Sequence, residues 1–206
     1  VDGKSLNLAQ FEDLTNRLGS PWTLANANRY NCVKASSSTN CTYQDRGASN
    51  GTKIIYRSDR LKLVRQGSVA LPLTKEHTYP RWLAWAVLRQ KSTGKEFFFG
   101  DIHFEPNNDA GTSLTYYNVR LKEAQTVVSA ITRLNSGKLP VVLAGDPGSN
   151  KWDSPSNGPY NTFVASGLVD PLGNTDRSSV PQNATVEKRI HTNYNSFNAW
   201  ESYARR

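Results

Sequence analysis

The sequence predicts an α/β (α+β) sandwich in which two packed, mostly antiparallel sheets are flanked by helices. Short runs rich in Val, Ile, Phe and Trp follow one another at turn-length spacing between residues 52 and 103, as antiparallel strands do. Two other stretches, one before that run and one after it, carry the periodicity of amphipathic helices. No internal repeat or composition break marks a boundary, so residues 1–206 are expected to form a single domain.

Taken in order, Ser5 to Leu18 sets Leu8, Phe11, Leu14 and Leu18 on one helical face, and Gly19-Ser20-Pro21 stops the helix. Trp22 to Ala27 predicts a short strand, and residues 31–50 a polar loop. Thr52 to Arg57 and Leu61 to Leu71 predict successive strands that turn at Ser58-Asp59. Arg81 to Lys91 predicts another, joined through Ser92-Thr93-Gly94 to the strand of Glu96 to Pro106. Trp82 and Trp85 fall on opposite faces of their strand and are assigned to core packing. Tyr116 to Asn135 predicts a helix with Leu121, Ala124, Val128, Ile131 and Leu134 on its apolar stripe and Gly137 just past its end. Leu139 to Ala144 is a short apolar run that predicts a buried strand, closed by the turn residues Gly145, Pro147 and Gly148. Asn157 to Gly167 predicts a further short helix, Leu168 to Leu172 a brief extended segment, and Gly173 to Gln182 a loop.

Chemistry concentrates where strands end. The central strand stops at Asp146, which delivers a carboxylate to the rim of a rigid element. Asp101 and His103 share a face of the phenylalanine-rich strand because side chains alternate with period two. The chain carries 25 Lys and Arg against 17 Asp and Glu, a formal charge of +8. With a sequence pI of about 9.6 and a mean hydropathy of −0.60, it suits an anionic partner such as nucleic acid, phospholipid or another polyphosphate. Lys53, Arg57, Arg60, Lys62 and Arg65 lie on strands leading toward the rim, and Lys188, Arg189, Arg205 and Arg206 add charge near the end.

No stretch has the length of an apolar membrane span, and none is an apolar hairpin suited to membrane insertion. Cys32 and Cys41 flank a Ser/Thr/Asn-rich loop, the pattern of a local disulfide formed in an oxidising compartment; two free thiols are the alternative. Sequons at Asn40, Asn50 and Asn183 are compatible with secretion, and the absence of methionine, even at position 1, predicts that an N-terminal segment has been removed. There is no G-x-S-x-G elbow for a serine nucleophile, and His77, His103 and His191 lack the spacing of a zinc site.

The strand ends GDIHFEP and LPVVLAGDPGSN, with a helix between them, resemble the endonuclease/exonuclease/phosphatase superfamily, and its secreted bacterial members in particular. TKIIYRSDRLKLVRQGSVALP and GLVDP resemble further segments of the same family. The resemblance implies a four-layered α/β sandwich and metal-dependent hydrolysis of a phosphoester, with Mg²⁺, or Mn²⁺ or Ca²⁺, as cofactor. It implies that His103 contacts the scissile phosphate and that Asp146 orients or activates the attacking water. Asp101 would support His103 by fixing its tautomer, and Arg57 and Asn150 would help hold the substrate. Gly148 stands where the family motif has an Asn, and Pro147 where it has a Phe.

The family's N-terminal metal-binding Glu and its C-terminal Asp-His pair have no counterpart, so the chain is expected to be the central part of such a domain. Two functions follow. One is a secreted, monomeric nuclease or phosphodiesterase acting on DNA, RNA or another phosphodiester, completed by a missing segment. The other is a catalytically impaired nuclease-like module that binds anionic polymers without cleaving them.

Overall fold

The computed structural model describes residues 10–25, 52–73, 81–106, 108–110, 113–149 and 157–170. In chain order they form α1 (Gln10–Leu18), β1 (Trp22–Leu24), β2 (Ile55–Arg57), β3 (Leu61–Ala70), β4 (Trp82–Gln90), β5 (Glu96–His103), α2 (Thr115–Leu134), β6 (Val141–Asp146) and α3 (Gly158–Ala165). The mixed α/β sandwich expected from the sequence is the fold observed, with a four-stranded sheet ordered β3-β4-β5-β6 and a two-stranded sheet β1-β2.

The core is organised around β4, whose residues 82–88 are all buried. Alternation sorts them between two layers. Leu83, Trp85 and Val87 face α2 and join Phe98, Ile102, Phe104, Ala124, Val127 and Ala130 in the larger core. Ala84, Ala86 and Leu88 face the second sheet and pack with Ala25 and Ile54. Trp82 and Trp85 therefore lie on opposite faces, and both are buried as core residues. Trp85 stacks on Phe98 with ring centroids 5.7 Å apart, and Phe104 meets Phe163 of α3 at 6.0 Å.

Five expectations are corrected. β2 and β3 do not form a hairpin in one sheet, because β2 pairs antiparallel with β1, Trp22 opposite Arg57 and Leu24 opposite Ile55. The turn between β2 and β3 instead crosses from one sheet to the other. Ser58 donates to Pro21 O through its main chain (2.9 Å) and its hydroxyl (2.8 Å), while Arg60 O accepts from Lys91 N (2.9 Å) and starts β3 on β4.

The buried stripe of α2 begins one position earlier than the apolar pattern implies. Arg120, Glu123, Ala124, Val127 and Ala130 are buried, whereas Leu121 and Val128 are only partly so. The two charged residues can occupy the stripe because the chain leaving β5 supplies them with polar partners. β6, expected to be buried, is an edge strand among the described residues, and Val142 is 45% exposed. Residues 168–170 form no regular extended element, and residues 171–172 lie outside the described residues. In α1, Leu14 and Leu18 of the predicted apolar face are exposed among the described residues.

Gly145 fixes how closely β6 approaches β5. Its φ of +122° is one that L side chains rarely adopt, and a Cβ there would collide with the main chain of Ile102. Gly145→Ala is therefore expected to destabilise the fold by about 2–4 kcal/mol, read as a fall in the urea midpoint at unchanged m-value. An unchanged midpoint would show that the two strands can separate without loss.

Candidate active site

β5 and β6 run parallel in a register that pairs Phe98 with Val141 and ends with His103 opposite Asp146. Paired residues present their side chains to the same face, and neighbouring strands are about 4.8 Å apart, so the two side chains emerge together at one rim. Phe104 N donates to Asp146 O (2.9 Å) and extends the pairing just past the strand ends. Both side chains are exposed. Asp146 Oδ1 accepts from Gly148 N at 2.8 Å, which fixes the carboxylate, and Oδ2 makes no hydrogen bond among the described residues.

The Arg81 charge reaches both groups. Partial burial, and then the Arg81 guanidinium, hold the His103 imidazole below the usual histidine range, against the opposing pull of Asp146. A neutral imidazole at neutral pH follows, with one N–H to donate and one nitrogen to accept. Burial lowers the pKa of Arg81 itself, while Glu123 and Asp146 counteract that effect.

Asp101 shares the His103 face but spends its carboxylate elsewhere. Its Oδ2 accepts from Lys53 N at 3.1 Å, and among the described residues it makes no hydrogen bond to His103. Burial pushes Asp101 up to about 6, opposed by the main-chain donors Lys53 and Ile102, and drives Lys53 down to about 7. Arg57 is not brought to the rim. It forks onto Asp59 at 3.1 and 2.7 Å and lies over the Trp22 ring at 5.9 Å. Lys53, beside Asp101, is four residues before it, about 13 Å of extended chain. Asn150, Cys32 and Cys41 lie outside the described residues, as do His77, His191, Lys188 and Arg189.

Sequence reasoning missed a buried charged layer beneath the rim. Glu105, Arg120 and Glu123 are fully buried. Glu105 N donates to Glu123 Oε2 (2.9 Å), and Glu105 Oε2 lies 3.7 Å from Arg81 Nε. Arg120 Nη1 donates to Pro106 O (3.0 Å), and its Nη2 lies 4.0 Å from Asp109 Oδ2. Asp109 also accepts from Tyr116 N (2.9 Å) and Tyr117 N (2.8 Å), so one carboxylate caps α2 and faces Arg120. Arg120 and Glu123 at i and i+3 were the available signal. An Arg and a Glu so spaced read as a solvated face unless the neighbouring strand is known to bring partners.

No family model matches the chain. No curated protein matches it either. Similar solved structures include the mannosyl-6-phosphatase Bt3783 of Bacteroides thetaiotaomicron VPI-5482, 28% identical over 56% of this chain and 42% of that one, with a TM-score of 0.45. A second is an endonuclease/exonuclease/phosphatase family protein from Bacteroides thetaiotaomicron, 28% identical over 56% of this chain and 40% of that one, with a TM-score of 0.45. The human Nocturnin catalytic domain is 19% identical over 76% of this chain and 52% of that one, with a TM-score of 0.48. The chain spans about half or less of the length of these three structures.

Glu123 gives stability a pH dependence of defined sign. Burial raises its carboxyl from 4.5 to about 8, with Arg81 and Arg120 opposing. Between those values the native state holds a proton that the unfolded chain has released, so this group's contribution is full below 4.5 and lost as pH rises through about 8. Glu123→Gln, which mimics the neutral form, is expected to flatten the fall in Tm across that window. Parallel Tm profiles for the two proteins would show that Glu123 is ionised in the native state throughout.

Proposed function

We propose that this protein is a phosphoester hydrolase of the nuclease or phosphodiesterase type, acting on DNA or RNA outside the cell. The observation that carries the reading is the pairing of His103 with Asp146 at the carboxyl ends of adjacent parallel strands, under the positive charge of Arg81. Hydrolysis of a phosphodiester needs a water directed at phosphorus and charge stabilisation where the phosphoryl oxygens become more negative. Asp146, with Oδ1 fixed by Gly148 N–H, has Oδ2 available to orient that water and accept its proton. Neutral His103 donates its N–H to a phosphoryl oxygen. The formal charge of +8 supports a polyanionic substrate bound through its phosphates, without sequence readout.

The resemblance also implies a divalent cation, Mg²⁺ or a substitute. Among the described residues no group of three or more His, Cys, Asp or Glu could hold one. The described site on its own does not fit the ion. Secretion, a Cys32–Cys41 disulfide and a monomeric state complete the proposal. No helix among the described residues is long and apolar enough to cross a membrane.

Release of acid-soluble nucleotide from plasmid and single-stranded DNA, with Mg²⁺ or with EDTA, tests the reading. Release is expected from the chain, with the Mg²⁺ and EDTA arms reading whether it needs a metal, and it should fall about a hundredfold or more in His103→Ala and Asp146→Ala. Because both side chains are exposed, Tm should stay within a few degrees. Salt-sensitive DNA binding with no release in any protein would overturn hydrolysis and leave a module that holds its polymer uncut.

A further inference from the structure

Arg81 is placed unlike Arg120 and Arg57. Arg120 is committed to Pro106 O and Asp109, and Arg57 to Asp59. Arg81 has a side chain 20% exposed, and only its Nε is sealed from solvent without a hydrogen bond. Its inner edge lies against fully buried Glu105, 3.7 Å away. Its outer nitrogens are not sealed from solvent and make no hydrogen bond among the described residues. The same charge acts on His103 and Asp146.

Glu105 cannot swing away from this arrangement. Its main-chain N–H is tied to Glu123 of α2 at 2.9 Å, and Arg120 of the same helix holds the next carbonyl, Pro106 O, at 3.0 Å. Each tie comes from a side chain that is itself fully buried. A guanidinium braced by a buried carboxylate at its Nε, with its two terminal nitrogens open to solvent and not hydrogen-bonded among the described residues, suits fork-like recognition of a tetrahedral oxyanion.

We propose that Arg81 is the anion-receiving group of the His103–Asp146 rim, and that Glu105 is the positioning residue that aims it. The proposal deepens the phosphoester reading and rests on it for the identity of the anion as a phosphate group. Arg81 contributes two parallel N–H donors to the phosphate oxygens beside His103. Glu105 acts only through Arg81.

The test titrates inorganic phosphate into the full chain labelled with ¹⁵N-arginine and follows the Arg81 Nε–Hε resonance. A saturable shift is expected, with affinity falling about tenfold in Arg81→Met and by a smaller factor in Arg81→Lys, which keeps the charge but loses the fork. Glu105→Gln should weaken phosphate about threefold or more when Arg81 is present and have no further effect in the Arg81→Met background. Should Arg81→Met fail to fold, Arg81→Lys and Glu105→Gln decide the matter. An absent shift, unchanged affinity in the Arg81 variants, or an equal Glu105→Gln effect in both backgrounds would overturn the assignment. Hydrolysis of bis(p-nitrophenyl) phosphate, followed in parallel, separates the two claims. Phosphate bound through Arg81 without hydrolysis would sink the enzymatic reading and keep the anion site, and hydrolysis indifferent to Arg81 would do the opposite.

Discussion

Parallel pairing of β5 with β6 cannot be made by a tight turn, because the chain must return to the side where β5 began before it can run alongside it. The 20-residue helix α2 supplies the return, covering about 30 Å at 1.5 Å per residue. That crossover brings the ends of two strands distant in sequence to one rim, with His103 and Asp146 in register. It also lays α2 across the larger core, so the element that makes the parallel pair possible is the one that buries its face. The hairpin from β4 to β5 is ordinary antiparallel structure, with Leu83 opposite Ile102 and Arg89 opposite Glu96. Among the described residues, only the β5–β6 seam converges on the candidate chemistry.

What was legible in the sequence was local. The alternation that puts Asp101 and His103 on one face, the arrest of β6 at Asp146, the Ser92-Thr93-Gly94 hairpin and the extent of α2 follow from periodicity and turn chemistry within a few residues. Sheet membership was not legible. β2 is as strand-like as β3, yet Ser58 and Arg57 anchor it to Pro21 and Trp22 in the other sheet, and those contacts span more than thirty residues. The edge position of β6 was hidden for a related reason. An apolar run predicts burial, but which of its two faces is covered depends on the extent of a different sheet.

The charged layer beneath the rim was the least legible part, because three of its members occupy positions that composition assigns to solvent. Burying Glu105, Arg120 and Glu123 carries a desolvation cost that well-packed apolar residues would avoid. The expense is contained because each group has a specific partner: Glu123 takes a main-chain N–H, Arg120 takes a carbonyl, and Glu105 faces Arg81. Every one of those partners lies on the chain just after His103 or just before β4. The layer therefore acts as a brace for the rim rather than as a source of stability, since an apolar replacement could pack as well but could not fix main-chain groups in direction.

Gly148 shows how far that brace extends. Its φ of +55° is a left-handed conformation that Gly and Asn both tolerate, so on backbone grounds alone an Asn would be acceptable here. Space decides otherwise. A Cβ at this position would lie 2.9 Å from Arg120 Cδ and 3.2 Å from Glu105 O, closer than either could accept without moving. The Arg120 side chain would have to give there, and it is tied to Pro106 O and lies close to Asp109. The Glu105 carbonyl would have to give by a few tenths of an ångström, in a residue tied through its N–H to Glu123 and facing Arg81. Glycine at 148 and charge at 105 and 120 are thus one choice rather than three: the turn that fixes Asp146 packs directly on the groups that hold the other side of the rim.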